Sequence, residues 1–121
     1  MIGLGVDVVE IERFRRSLQR TPSMRERVFT AGELAYVEPL ADPVPSLAAR
    51  FAAREASMKA MGLGLGAFGF HDVSVERATS GAPMLVVVGR AAELAAERGI
   101  ARWHLSLSHH GPVAVASVAA E

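Results

Sequence analysis

Apolar residues alternate with small or acidic ones from the first positions of the chain. Ile2, Leu4, Val6 and Val8 interleave with Gly3, Gly5 and Asp7, which predicts a strand over Ile2 to Val9. Gly3 and Gly5 on that strand allow another backbone to approach closely. The period then changes. From Glu10 to Arg20 the apolar residues Ile11, Phe14 and Leu18 fall at helical spacing, Glu10 and Glu12 suit the positive end of the helix dipole, and Pro22 stops the helix. Thr30-Ala31-Gly32-Glu33 has the form of a capping box and predicts a short second helix carrying Leu34 and Tyr36. Pro39, Pro43 and Pro45 mark an irregular connector. Ser46 is then the expected N-cap of a long alanine-rich helix reaching about Met61, with Gly62 as its stop and Leu47, Phe51, Met58 and Met61 on its buried side.

The second half reads mainly as strands. After the glycine-rich run Gly62 to Gly69, strands are expected near Asp72 to Ala78 and Met84 to Val88, joined by a turn at Ser80-Gly81. A helix from Arg90 to Arg98 ends at Gly99. Trp103 to Ser108 and Val113 to Val118 alternate in pattern, and His109-His110-Gly111-Pro112 between them predicts a hairpin. No repeat, low-complexity tract or boundary interrupts the chain. Residues 1–121 are therefore expected to form one domain of the α+β class, with helices gathered early and strands late.

Composition narrows the setting. A chain of 121 residues can bury roughly two-thirds of its unfolded surface, enough for a core without staples. It has no cysteine, so disulfides and thiolate metal sites are excluded and a reducing, cytoplasmic setting is expected. Asp7, Glu10 and Glu12 interrupt any signal-peptide apolar region, and no run approaches the roughly 20 residues needed to span a bilayer. Thirteen basic residues balance thirteen acidic ones, which argues against nucleic-acid binding driven by counterion release. Locally the balance fails: Arg13, Arg15, Arg16, Arg20, Arg25 and Arg27 are opposed within their window only by Glu26. Such a patch is either a solvated helix face or a dock for an acidic partner.

Lys59 is the only lysine in the chain, and it follows Glu55 by one helical turn. A carboxylate and a compact ammonium at i and i+4 share one helix face. An ordinary solvated helix has such pairs too, but a sequence that otherwise uses arginine has kept its one ammonium beside an acid, as a phosphate held next to a hard metal ion requires. Asp7 lies between Val6 and Val8 on a strand, where a carboxylate is scarce unless it is paired, bound to metal or turned to solvent at the strand's end. With Glu55 it would make a two-carboxylate site suited to magnesium.

Other motifs are weaker. Gly64-Leu65-Gly66-Ala67-Phe68-Gly69 matches the dinucleotide fingerprint in letters, but a helix precedes it and a strand follows, the reverse of the order that motif needs. His104, Ser106 and Ser108 share one face of a strand that ends in His109 and His110; their spacing fits no common zinc pattern, and no Gly-x-Ser-x-Gly elbow supports a hydrolase triad. As a phosphate-binding edge their hydroxyls and imidazoles make better chemical sense. His71, before Asp72, is read as a strand start without a role.

Three segments together resemble the holo-acyl-carrier-protein synthases, the small bacterial 4'-phosphopantetheinyl transferases: Gly3 to Ile11, Arg50 to Lys59 with Ala60-Met61-Gly62, and His104 to His109. The likeness runs over essentially the whole chain and includes the Gly81-Ala82-Pro83 turn. It implies an antiparallel sheet packed against a long central helix, assembly as a homotrimer, and sites at protomer boundaries. It implies that Asp7 and Glu55 are magnesium ligands and, with Lys59, the catalytic residues. Lys59, Arg50, Ser108 and His109 would bind coenzyme A. Arg13, Arg16, Arg20 and Arg27 would meet an acidic acyl carrier protein. Two positions depart from the family pattern: Arg54 stands where lysine is usual, and a second histidine, His110, follows the Ser-Leu-Ser-His motif.

The resemblance implies transfer of the 4'-phosphopantetheine arm from coenzyme A to a carrier serine, releasing adenosine 3',5'-bisphosphate. The serine oxygen would attack the β-phosphorus, with catalysis mainly by positioning and electrostatics. The proton acceptor stays open between a metal-polarised water, a free oxygen of a ligand carboxylate and a histidine. Two rivals are a magnesium-dependent nucleotide pyrophosphate hydrolase and a non-catalytic module that docks an acidic protein. Neither spacing nor composition says which carrier is served or whether acylated coenzyme A is accepted.

Overall fold

Gly3 and Gly5 decide how the layers meet. In the computed structural model, which describes residues 1–121, strand β1 (Gly3–Glu10) lies directly against the long helix α4 (Val44–Ala60). A Cβ at Gly3 would sit 1.8 Å from the Ala60 carbonyl oxygen, and one at Gly5 would sit 1.9 Å from that of Ala56. Only glycine permits this approach. Side chains on a strand alternate, so Asp7 lies on the same helix-facing side as the two glycines.

β1 pairs antiparallel with β5 (Val113–Ala120), and β5 pairs antiparallel with β4 (Trp103–His110), giving a three-stranded sheet ordered β1-β5-β4. A two-residue turn joins β4 to β5, with Gly111 at φ 57° in its first position. A separate antiparallel pair is formed by β2 (Val73–Arg77) and β3 (Pro83–Val87). The inner sheet face is dry: Ala116, Val118 and Ala120 of β5 pack on Ala52, Ala53, Ala56 and Ala60 of α4. Small side chains on both surfaces let the helix lie close.

Around the N-terminal part of α4, Phe14 and Leu18 of α1 (Ile11–Arg20) join Phe29 and Leu47 in the largest core cluster, each such side chain contributing about 1.5–3 kcal/mol of burial. Helix α5 (Gly89–Glu97) closes a third cluster with Met58, Met61 and Phe68. Helix α4 stops in a Schellman motif at Gly62, φ 71°, where Leu63 N–H donates to the Met58 carbonyl. No helix is long and apolar enough to cross a membrane.

Several expected boundaries move. Helix α4 begins at Val44, before Ser46, and Pro45 lies in its first turn, where proline's missing N–H costs nothing. A five-residue helix, α2 (Met24–Val28), occupies a stretch read only as a basic patch; it is too short to show a period. Helix α3 (Ala31–Val37) has the expected capping box, with Thr30 N–H donating to Glu33 Oε1 at 3.0 Å and Glu33 N–H donating to Thr30 Oγ1 at 3.3 Å. His71 and Asp72 belong to a short 3-10 turn before β2, and His109 and His110 lie within β4.

Candidate active site

Asp7 and Glu55 come together. They line one pocket of about 410 Å³ with Glu10, Arg13, Phe14, Ser17, Met24 and Phe51. Burial pushes the Glu55 carboxyl above the ordinary range, and the negative charge and hydrogen bonding of Asp7 push it further. A carboxyl whose ionisation is opposed by an adjacent carboxylate marks a site that favours a cation. Lys59 meets this pair, though not through Glu55. Its ammonium donates to Asp7 Oδ1 at 2.7 Å and to the Val6 carbonyl at 3.1 Å. The Asp7 contact, by hydrogen bond and charge, holds the ammonium's pKa above its ordinary value.

The residue before Glu55 points elsewhere. Arg54 is fully buried, with Nη2 at 2.5 Å from Glu33 Oε1 and Nη1 at 3.0 Å from Glu33 Oε2. Its Nε donates to the Phe70 carbonyl at 2.9 Å, while Glu33 also accepts from Val75 N–H at 3.0 Å. This pair ties α3, α4, β2 and the 3-10 turn together, so the charge at Arg54 is spent in the core and does not face Asp7. Residues 54 and 55 are about 100° apart around a helix, so anchoring Arg54 inward fixes the direction of Glu55.

Arg50, Ser108 and His109 gather at a second pocket of about 270 Å³, lined also by Ser46, Ala49, Arg77 and Leu107. It shares no lining residue with the first. Arg50 is 2% exposed and its Nε has no hydrogen-bond partner. Burial, then the neighbouring charge of Arg77, lowers its pKa. The Tyr36 ring packs against both guanidiniums, its centroid 4.7 Å from Arg50 and 5.3 Å from Arg77. Two close guanidiniums, one with an unused donor, form a place for an anion. Tyr36 and Arg77 carried no site signal in the sequence, because only the fold brings α3 and β2 to α4.

Arg13, Arg16, Arg20 and Arg27 are exposed on α1 and α2 without acid partners. Arg15 differs, being committed to Asp42 at 2.8 Å and Glu12 at 3.2 Å. His104, Ser106, Ser108 and His110 occupy the outer sheet face, whereas His109 projects to the other side. No three His, Cys, Asp or Glu residues gather as a metal-ligand group, which removes the histidine zinc centre. An Asp–Glu pair is a sufficient donor set for magnesium, which completes its octahedron with water and phosphate oxygens.

Known proteins share this sequence and fold. The sequence matches the family profile of the 4'-phosphopantetheinyl transferase superfamily over residues 3–117. A holo-[acyl-carrier-protein] synthase of Frankia casuarinae is 48% identical over 121 residues, covering 100% of this chain and 98% of that one, and the Streptomyces avermitilis enzyme of the same name is also 48% identical with the same coverage. The crystal structure of the Neisseria meningitidis synthase superposes with a TM-score of 0.90 at 32% identity, covering 100% of this chain and 98% of that chain. That of Bacillus anthracis, in complex with CoA (3',5'-ADP), gives 0.81 at 31% identity over 98% and 95%. The chain therefore belongs to the 4'-phosphopantetheinyl transferase superfamily, among the holo-[acyl-carrier-protein] synthases.

Proposed function

We infer that this chain transfers the 4'-phosphopantetheine group of coenzyme A to a serine of an apo acyl carrier protein, releasing adenosine 3',5'-bisphosphate. The relatives' activity and a related structure holding CoA support the reaction. Its assignment to residues rests on one observation: Asp7 and Glu55 line one pocket while Lys59 is bonded to Asp7.

Asp7 and Glu55 would hold magnesium. When bound, the ion supplies Lewis-acid stabilisation of the pyrophosphate charge. The remaining work belongs to the chain. The carrier serine enters beside Arg13, and a carboxylate oxygen of Glu55 left free by the ion would take its proton. The serine oxygen forms a bond to the β-phosphorus as the bond to the leaving phosphate breaks. Lys59 offsets the charge gathering on that leaving group. Arg50, Ser108 and His109, with Arg77 and Tyr36, hold the nucleotide end of the coenzyme. Arg13, Arg16, Arg20 and Arg27 receive the acidic carrier.

The working form is a homotrimer in the cytoplasm, each chain acting as one domain. Two features support assembly. Leu4, Val6 and Val8 form a row on the outer sheet face that is 63%, 47% and 56% exposed, too apolar for a free surface. The two pockets also open separately in one copy, as expected if one protomer supplies Asp7 and Glu55 and its neighbour supplies Arg50, Ser108 and His109. Chromatography of products tests the reaction: adenosine 3',5'-bisphosphate should appear only when apo carrier is present. Release without carrier would favour a pyrophosphate hydrolase.

A further inference from the structure

Lys59 and Asp7 are bonded in a way that bears on the order of events at the site. The Lys59 side chain is 54% exposed and that of Asp7 only 11%, so the ammonium covers the carboxylate from the solvent side. One of the two Asp7 oxygens, Oδ1, is occupied by Nζ at 2.7 Å, while Glu55 adjoins the same carboxylate within the pocket. Nζ holds its place with only two bonds, the second to the Val6 carbonyl on the edge strand β1. A lysine ammonium is a point charge on a flexible four-carbon stem, whereas arginine would grip a carboxylate by a fork. This clasp is therefore easily opened, and a divalent ion approaching Asp7 meets a positive charge already seated there.

We propose that Lys59 is an exchange partner for Asp7: in the free protein it neutralises the carboxylate and holds divalent-ion affinity down, and the coenzyme's diphosphate draws it away. Ion and coenzyme then bind cooperatively, because each gains from the release of the other's competitor. Linkage requires the coupling to be reciprocal, so the ion must raise coenzyme affinity by the same factor. The inference rests on the metal site assigned to Asp7 and Glu55 above, and it adds that the same lysine which favours the coenzyme opposes the ion when the coenzyme is absent.

Mn2+ binding, followed by paramagnetic resonance without turnover, tests this in the wild type, Lys59→Met and Asp7→Asn, each with and without coenzyme A and corrected for Mn2+ held by the coenzyme alone. Without coenzyme, Lys59→Met should bind Mn2+ about tenfold more tightly than the wild type, as expected for removal of one charge a few ångströms away at a partly exposed site. Coenzyme A should tighten Mn2+ binding in the wild type and do so much less in Lys59→Met. Equal or weaker Mn2+ binding by Lys59→Met, while Asp7→Asn abolishes the wild-type signal, overturns the exchange and leaves the metal site standing. Absence of Asp7-dependent Mn2+ binding in the wild type overturns both.

Discussion

Arg54 and Glu33 face one another through two parallel hydrogen bonds, 2.5 and 3.0 Å, with their side chains 0% and 1% exposed. Burial by itself would raise the Glu33 carboxyl, but the hydrogen bonds and charge of Arg54, with backbone donors from Thr30 and Val75, bring it below its ordinary value. A carboxyl more acidic in the folded protein than in the unfolded chain stabilises the fold fully above its unfolded pKa, about 4.3. That contribution is lost as the pH falls through the folded value. Urea midpoints measured against pH should show an acid limb beginning near that point. Glu33→Gln should flatten this part of the limb and, by leaving the Arg54 charge unpaired, cost about 3–5 kcal/mol near neutrality.

The contact between Gly5 and Ala56 gives a second stability prediction. Gly5→Ala places a methyl 1.9 Å from a backbone oxygen that cannot step aside without moving α4 off β1. A loss of about 3 kcal/mol is expected, read as a fall in Tm, together with reduced turnover because Glu55 rides on α4. Gly64→Ala, whose added methyl meets nothing within 4 Å, should leave Tm nearly unchanged and serves as the control.

Much of this arrangement was legible in the chain. Glycines alternating with apolar residues in a strand imply close contact with another element, and the capping box at Thr30 and Glu33 has a local geometry that needs no tertiary information. Asp7 stood out because a carboxylate flanked by valines is scarce. What the sequence hid were long-range choices. Arg54 stood out only as a replacement for the usual lysine, and nothing local distinguishes an arginine whose fork is filled by an acid 21 residues away. Glu33 already had a sufficient role as a cap, so its second role was masked. Lys59 was read with Glu55 because i,i+4 neighbours are visible in sequence; its bond to Asp7, 52 residues distant, exists only after β1 docks on α4. The same limit concealed the contacts of Tyr36 with Arg50 and Arg77.

Reversal of charge at Arg13 and Arg16 tests the proposed docking surface. Both are exposed, so Arg13→Glu/Arg16→Glu should fold normally. The carrier's KM should rise about tenfold or more at low salt and less so at high salt, where screening weakens long-range attraction. Coenzyme affinity should stay constant. A carrier KM that does not move would return these arginines to an ordinary solvated face.

Assembly is tested on the outer sheet face. Val6→Asp places a charge in the exposed apolar row between Leu4 and Val8 without touching the core side of β1. Light scattering after size exclusion should shift from three copies to one, and activity should fall with it because the two pockets would no longer share a boundary. A fully active monomer would contradict the proposed division of the site between protomers.

The proposed transfer depends most on Asp7 and Glu55 acting as one cation-holding pair. Intact-mass measurement of an apo carrier incubated with coenzyme A, magnesium and the wild-type protein should show addition of one phosphopantetheine arm, abolished by chelator. Glu55→Gln and Asp7→Asn should each lower the rate by about three orders of magnitude while keeping the wild-type thermal transition within a few degrees. Full transfer by either variant, or transfer unaffected by the chelator, would contradict it.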